Sequence, residues 1–210
     1  MSARDEILNR IRTALADVDD ATAAEPVDWI YGRPVSTGDL DVVDRFAERV
    51  ADYRAVVERV SEAELPERIS TAAQTIDGAV IADGTVRARV GVDLPWADDD
   101  SLTPRELDAV GAVITTAAIG IANTGTIVLD HAHGQGRRAV SLVPDVHICI
   151  IDAAQVVSDV PEAVARLTAD DAHTRPQTWI SGPSATSDIE LDRVEGVHGP
   201  RRLHVIVTTD

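Results

Sequence analysis

Val146-His147-Ile148-Cys149-Ile150-Ile151 and Ala112-Val113-Ile114-Thr115-Thr116-Ala117 are short runs of mostly β-branched and apolar residues. Runs of this length and composition predict strands that are buried on both faces. Shorter runs of the same kind stand at residues 79–82, 125–129, 178–180 and 203–207. Helical patterns alternate with them over residues 66–207, and this alternation predicts an α/β fold with a mostly parallel sheet flanked by helices. The spacing of 125–129 and 146–151 resembles a hairpin, so we expect a mixed sheet.

The predicted helices differ in strength. Residues 39–60 carry a continuous apolar stripe at three- and four-residue spacing and predict one long helix. Residues 3–17 form a shorter amphipathic pattern, and helices are also predicted at 66–76 and 160–167. Asp83-Gly84 is interpreted as a turn pair and Asp98-Asp99-Asp100 as a solvated loop. Thr103-Pro104-Arg105-Glu106 is a capping box that begins a short helix.

The chain of 210 residues suits one domain with an appendage. Residues 18–38 have little periodicity, so we predict an N-terminal helix and linker over 1–38 and a folded domain over 39–210. The composition includes a single cysteine, Cys149, within an apolar strand. We interpret it as a buried core residue, with a reactive thiol as the alternative. A chain without internal disulfides is typical of the cytoplasm, and one cysteine cannot hold an iron–sulfur cluster. No apolar run is long enough to span a bilayer.

The net charge is −17, which disfavours nucleic acid as a partner. All 19 basic residues are arginine, so Schiff-base chemistry on a lysine is excluded. Two arginine pairs, Arg137-Arg138 and Arg201-Arg202, follow glycine loops. They could offset the repulsion that this acidic chain exerts on an anionic ligand, or they could pair with surface carboxylates.

Two loops rich in glycine and polar residues lie near the end of the chain, at Gly182-Pro183-Ser184-Ala185-Thr186-Ser187-Asp188-Ile189-Glu190 and Gly196-Val197-His198-Gly199-Pro200. Glycine and proline fix the backbone path, and backbone N–H groups and hydroxyls on such a path can bind an anion or cap a helix. Both interpretations stay open. Asp188 and Glu190 would face the same side only on a strand, as paired acid–base chemistry requires.

These two loops resemble the closing signature of the LUD domain family. Ile121-Ala122-Asn123-Thr124-Gly125-Thr126-Ile127-Val128-Leu129 is similar to the central motif of that family, and Ser141-Leu142-Val143-Pro144-Asp145-Val146-His147 to the segment after it. The blocks keep the family order and span roughly residues 110–208. The resemblance implies a fold akin to the group of ribose-phosphate isomerase, glucosamine-phosphate deaminase and CoA-transferase.

The resemblance also implies a function. Members of the family without cluster-binding cysteines are expected to act as subunits of a system that oxidises L-lactate to pyruvate, with iron–sulfur subunits as partners. A small carboxylate is the expected ligand. Two alternatives remain: a stand-alone enzyme acting on a sugar phosphate or an acyl-CoA, and a non-catalytic assembly scaffold.

The candidate ligand-binding residues follow from the matched blocks; we assign no catalytic residue. They are Asn123, Thr124, Gly125, Thr126, Gly182, Ser184, Thr186, Asp188 and His198. Ser184 and Thr186 would bind a carboxylate and Asp188 would orient His198 or an arginine, with Asn123 and Thr124 across the pocket. Relatives often carry an acid where Asn123 stands, and an amide is neither a nucleophile nor a base, so covalent chemistry there is doubtful.

The remaining signals are weaker. His131 and His133 could contribute to a metal site, but their glycine-rich loop favours mobile, solvent-exposed side chains. His147 and His204 lie in predicted strands and are interpreted as structural. The sequence has no G-x-G-x-x-G and no phosphate-binding P-loop, so no nicotinamide, flavin or other cofactor is predicted. Strand-flanking loops of open α/β sheets bind ligands beyond the carboxyl ends of strands, and we expect the candidate residues to converge there.

Overall fold

The computed structural model describes residues 2–17, 32–100, 102–169, 174–186, 194–196 and 198–210. The chain divides into two units, Met1–Ile30 and Tyr31–Asp210. The helices are α1 (Ala3–Ala14), α2 (Val42–Asp52), α3 (Leu65–Ala73), α4 (Gly84–Val90), α5 (Pro104–Asp108) and α6 (Val160–Ala169). The strands are β1 (Val56–Ser61), β2 (Val80–Ile81), β3 (Trp96–Ala97), β4 (Ala112–Thr116), β5 (Ile119–Ile121), β6 (Thr126–Leu129), β7 (Val146–Asp152), β8 (Val156–Val157), β9 (Thr178–Ile180), β10 (Ala185–Thr186), β11 (Val194–Glu195) and β12 (Arg202–Thr209).

A parallel sheet with the strand order β1-β12-β7-β4-β2-β3 forms the centre of the larger unit. Every pairing within it is parallel. β7 lies between β4 and β12, and its first six residues are all buried. Parallel strands need crossover connections that cover both faces, which is why β7 is apolar on both sides. The predicted α/β fold with a mostly parallel sheet is confirmed.

The antiparallel content lies in a second sheet, with the order β8-β5-β6-β9. β6 pairs antiparallel with β5 and with β9. The hairpin suggested between 125–129 and 146–151 was therefore wrong, because β6 and β7 belong to different sheets. Residues 130–145, which include a 3₁₀ turn at Arg138–Ser141, carry the chain from one sheet to the other.

Alternation along β7 divides the core into two layers. Cys149 and Ile151 face α2 and the second sheet, where they pack with residues that include Phe46, Ile127 and Leu129. Ile148 and Ile150 face the opposite layer and pack against α3 and α4 through Leu65, Ile69, Val86 and Val90. The second sheet thus covers one face of the main sheet, and helices cover the other.

The long helix predicted over 39–60 was wrong in its second half. Asp41 caps α2 by accepting hydrogen bonds from the N–H groups of Val43 and Asp44, and the helix ends at Asp52. Arg54 then takes a left-handed backbone conformation (φ 66°), and the chain continues as β1. Val56 and the residues after it pair with β12, because long-range strand pairing outweighs a helical pattern that continued by coincidence.

Capping side chains explain the short helices. The predicted capping box at Thr103 and Glu106 is present at the start of α5. Asp83-Gly84 is not a free turn, since Asp83 caps α4 by accepting a hydrogen bond from the N–H of Thr85. α4 ends at Gly91 in a left-handed conformation (φ 61°), which glycine adopts without strain.

The N-terminal unit contains α1, as the periodicity predicted. Ser2 and Asp5 form a capping box at its start. Its apolar side chains, Ile7, Ile11 and Leu15, are exposed, and none of its residues is buried. Within the described residues, no helix combines the length and apolar character that a membrane crossing requires.

Cys149 provides a test of the central strand. Its side chain has 0% exposure, and burial raises the pKa of the thiol to about 12. We expect native protein to resist alkylation at neutral pH and protein unfolded in denaturant to react fully. Mass spectrometry after a timed pulse of iodoacetamide measures both states. Rapid native labelling would contradict the burial of β7.

A pair of truncations tests where the larger unit begins. The N–H of Val35 donates to Ser158 Oγ (2.8 Å), the Ser36 carbonyl accepts from Asn123 (3.2 Å), and the Thr37 carbonyl accepts from Arg45 (2.9 Å). A chain beginning at Arg33 should keep these bonds and unfold like the complete protein. A chain beginning at Asp39 should lose about 2–4 kcal/mol, at roughly 1 kcal/mol per hydrogen bond. Denaturant unfolding of both chains measures the difference in stability. Equal stabilities would contradict the assignment of residues 35–37 to the larger unit.

Candidate functional site

A cavity of about 210 Å³ lies at the amino-terminal ends of β7 and β12. We call it the amino-end cavity. His147, the second residue of β7, and Leu203, the second residue of β12, lie at its base. Its other lining residues are Ser141 and Leu142, all of β9, and the loop residues 181–184 and 198–200.

Ser184 joins the two loops that the sequence singled out. Its N–H donates to the Pro200 carbonyl (2.8 Å), and its carbonyl accepts from the N–H of Gly196 (3.1 Å). Its hydroxyl oxygen accepts from the N–H of His198 (2.9 Å). Because this oxygen accepts from the loop, the hydroxyl proton of Ser184 is available to another acceptor.

Gly182 shows why the first loop needs glycine. It has a positive φ of 85°, and a Cβ at this position would lie 2.4 Å from the Cβ of Tyr53. The backbone therefore passes directly against the residue that ends α2. This contact holds the loop at the mouth of the cavity, as expected of a binding loop on a rigid scaffold.

A chain of hydroxyl groups connects the central motif to the cavity. Thr124 Oγ1 lies 2.7 Å from Thr126 Oγ1, which lies 2.8 Å from Ser181 Oγ. Ser181 lines the cavity, whereas Thr124 and Thr126 lie behind it. These two candidate residues are thus linked to the cavity through Ser181 and do not themselves line it.

The other candidate residues have different positions. Asn123 donates from its side chain to the Ser36 carbonyl, and Gly125 (φ 59°) packs against Arg49. Neither lines the amino-end cavity. Asp188 and the side chain of Thr186 lie outside the described residues.

His147 is the lining residue that sequence analysis interpreted as structural. Its ring has 0% exposure, and Nε2 lies 2.7 Å from Thr115 Oγ1. Nδ1 has no hydrogen-bond partner. Among the described side chains, it is the buried nitrogen or oxygen atom that lacks one. Burial lowers the pKa of His147 to about 4, so the ring is neutral at pH 7. The available signal was a polar residue in an otherwise apolar strand.

The loop around His131 is ordered by hydrogen bonds. Nδ1 of His131 lies 3.1 Å from the Gly136 carbonyl, which only accepts, so Nδ1 carries the proton. Nε2 then accepts from the hydroxyl of Thr178 (2.9 Å), a residue that lines the cavity. The N–H of His131 also donates to Gln135. The expectation of a mobile, exposed histidine pair was wrong for His131, because this network holds it; His133 is exposed.

None of the arginines that the structure describes lines the amino-end cavity. Arg137 binds Asp99 through two nitrogens, and Arg201 pairs with Asp145 (2.8 Å). Of the two interpretations of the arginine pairs, these contacts fit pairing with carboxylates. The lining residues that the structure describes include no arginine and no acid, so hydroxyl groups, backbone groups and imidazoles supply the polarity.

A second cavity, of about 500 Å³, lies at the carboxyl ends of β2 and β3. The general rule for open sheets placed the candidate residues at this end, but the loops at residues 181–184 and 198–200 lie at the opposite one. Both arginines that line the second cavity, Arg87 and Arg137, are already paired. Arg87 binds Asp98 (2.9 Å) and the carbonyls of Ala82 and Ala97, and Arg137 binds Asp99. Within the described residues, no group of three or more His, Cys, Asp or Glu is placed to hold a metal ion.

The profile of the LUD domain matches residues 35–208, which is most of the chain and all of both cavities. The chain belongs to the LUD domain family. A Deinococcus radiodurans protein named Lactate utilization protein C is 46% identical over 179 residues, which is 84% of each chain. A protein of the same name from Shouchella clausii is 36% identical, and the match spans 60% of this chain and 56% of that protein.

Similarity to a solved structure supports the fold of this LUD domain. The crystal structure of a DUF162 family protein from Deinococcus radiodurans at 1.70 Å resolution matches with a TM-score of 0.71 and 40% identity. The match covers 84% of this chain and 100% of the solved one. The recognised motifs and the tertiary structure therefore lead to the same family.

The buried state of His147 predicts a pH dependence of stability. An unfolded chain protonates this histidine below about pH 6.5, whereas the folded chain does so only near pH 4. Stability is therefore complete above pH 6.5 and decreases as the pH falls through this window, by about 3 kcal/mol in total. Denaturant unfolding of wild type and His147→Phe at several pH values measures the effect.

The phenylalanine variant removes the titration, so its stability relative to wild type should rise as the pH falls. His133→Gln, at the exposed histidine, serves as the control and should follow wild type. A stability difference between wild type and His147→Phe that is constant from pH 7 to pH 4 would contradict the assignment.

Proposed function

We propose that this LUD domain protein acts in lactate utilisation, as a cluster-free subunit of a system that oxidises L-lactate to pyruvate. The observation that carries the proposal is the 46% identity, over 84% of both chains, to a protein named Lactate utilization protein C. Electron transfer requires redox centres, and the sole cysteine of this chain is buried in β7. The proposal therefore assigns the iron–sulfur clusters to partner subunits.

The second part of the proposal is a small-anion site in the amino-end cavity. Its lining residues include Ser181, Ser184 and His147, and the described lining residues include no carboxylate to repel an anion. The volume of about 210 Å³ is below the roughly 300–1,000 Å³ of pockets for drug-sized ligands. Both features favour a ligand of few atoms, such as lactate or pyruvate.

The two alternatives make different demands on the cavity. A sugar phosphate or an acyl-CoA carries phosphate dianions, which proteins commonly bind with arginine, lysine or a helix N-terminus. The described lining of the amino-end cavity offers no such cation. A pure scaffold would bind partners without binding any small anion, so ligand titration separates it from the proposed function.

The role in lactate utilisation is tested in the organism that encodes the chain. Deletion of the gene should abolish growth on L-lactate and leave growth on glucose unchanged, and a plasmid copy should restore it. A tagged copy should co-purify with iron–sulfur proteins, while the chain purified alone should contain no stoichiometric iron. Normal growth of the deletion strain on lactate would refute the proposal.

The anion site is tested by calorimetry with L-lactate and pyruvate. Ser184→Ala removes the hydroxyl of a residue that lines the cavity and should weaken binding by about 0.5–1.5 kcal/mol. Ser70→Ala is the matched control, because the Ser70 hydroxyl bonds to the Pro66 carbonyl within α3, outside the cavity. Equal affinity of Ser184→Ala and wild type would contradict a role for this loop.

A further inference from the structure

We propose that His147 recognises the ligand of the amino-end cavity, donating a hydrogen bond from Nδ1 to an oxygen of a small monocarboxylate. This inference rests on the proposed small-anion site and deepens it. It assigns the contact to a residue outside the glycine loops, on the central strand of the main sheet.

The unpartnered nitrogen of His147 carries the inference. The ring is fully buried and lines the cavity, and its Nε2 is occupied by Thr115. Nδ1 has no partner among the residues that the structure describes. Buried polar atoms in folded proteins almost always have one, and an unpaired atom carries the full cost of its desolvation. Because the ring has 0% exposure, a ligand oxygen that supplies the missing partner must displace part of the cavity lining as it binds.

The surroundings of His147 make an apolar residue the simpler choice at this position. Val113 and Leu203 are its register partners on β4 and β12, and both are apolar. The next residue on the same face of β7 is Cys149, which belongs to the apolar core. A histidine here gains one hydrogen bond to Thr115 and leaves one nitrogen unpaired, which packing alone does not explain.

The hydroxyl of Thr115 allows Nδ1 to act as the donor. A neutral imidazole has one protonated nitrogen, and a hydroxyl can either donate to or accept from the other nitrogen. A carboxylate oxygen only accepts. With an anion bound, the proton must therefore lie on Nδ1, and Thr115 then donates to Nε2. Thr115 is thus a positioning residue that accommodates this tautomer.

The neutrality of the ring limits the class of ligand. Burial keeps the pKa of His147 near 4, so the donor carries no charge at pH 7. The described lining also lacks arginine, and the chain has no lysine. Neutral side-chain donors suit a singly charged carboxylate better than a phosphate dianion, which proteins commonly bind with cations or a helix N-terminus.

The experiment measures binding of L-lactate, pyruvate, acetate and inorganic phosphate by calorimetry to the complete chain. We expect wild type to bind the three carboxylates and not inorganic phosphate. His147→Phe keeps a ring and removes the donor, so it should weaken carboxylate binding by about tenfold or more. His147→Asn, which can still present an N–H, should retain part of the affinity.

A spectroscopic measurement on wild type avoids dependence on any variant that folds poorly. In ¹⁵N-histidine-labelled protein, the Nδ1–H signal of His147 should shift downfield and exchange more slowly with solvent when L-lactate is added. Thr115→Val should weaken binding by less than His147→Phe, because it removes the positioning hydroxyl and leaves Nδ1 in place. Thermal melts identify any variant that is unfolded.

The outcomes separate this inference from the function on which it rests. If wild type binds carboxylates, and Ser184→Ala weakens this binding while His147→Phe does not, the anion site stands and the role of His147 is refuted. If no carboxylate binds and the Nδ1–H signal of His147 does not change when L-lactate is added, both the anion site and this inference fail. Growth on lactate reports separately on the role in lactate utilisation.

Discussion

The parallel pairing of β7 with β4 and β12 is the constraint on which the rest of the structure depends. It places seven consecutive residues of β7 at the centre of the sheet and buries nearly all of them. Because each face of the strand meets a different layer, the pairing also determines which side chains join which core. A shift of one residue would exchange the two sets and place His147 on the wrong face.

The second sheet and the loop after it form the amino-end cavity against one end of β7. β6 and β9 cover one face of the main sheet, and the loop after β9 reaches the start of β12 through the hydrogen bonds of Ser184. The amino-end cavity lies where the two sheets meet the loops. The closing loops rest on rigid neighbours, such as Tyr53 against Gly182, and rigid support is what a precise polar site requires.

The negative charge of the chain limits how the cavity can bind an anion. The net charge of −17 opposes the approach of anions to the chain, and the arginines whose contacts are described near the cavities are paired with aspartates. Neutral donors recognise an anion by hydrogen bonding without adding a buried charge. In the proposed anion site, serine hydroxyl groups and a histidine with a depressed pKa would provide that kind of recognition.

The sequence by itself determined the class of fold, the family and the two loops that meet at Ser184. Apolar β-branched runs, capping boxes and ordered motifs are local features, and local features are readable from the order of residues. The end of α2 was not readable, because β1 exists through its pairing with β12, about 150 residues later in the chain. The helical stripe over 39–60 carried no sign of that partner.

Only the tertiary structure decided the position and the contents of the cavity. Ser184 and His198 lie close together because β9 and β12 bring their loops to one end of the sheet. Asn123 instead donates a hydrogen bond to the Ser36 carbonyl, away from the cavity. The unpaired Nδ1 of His147 was equally hidden, since a histidine within an apolar strand reads as core. Whether a buried nitrogen has a partner depends on the atoms that other strands and loops place around it, and no local pattern in the sequence specifies them.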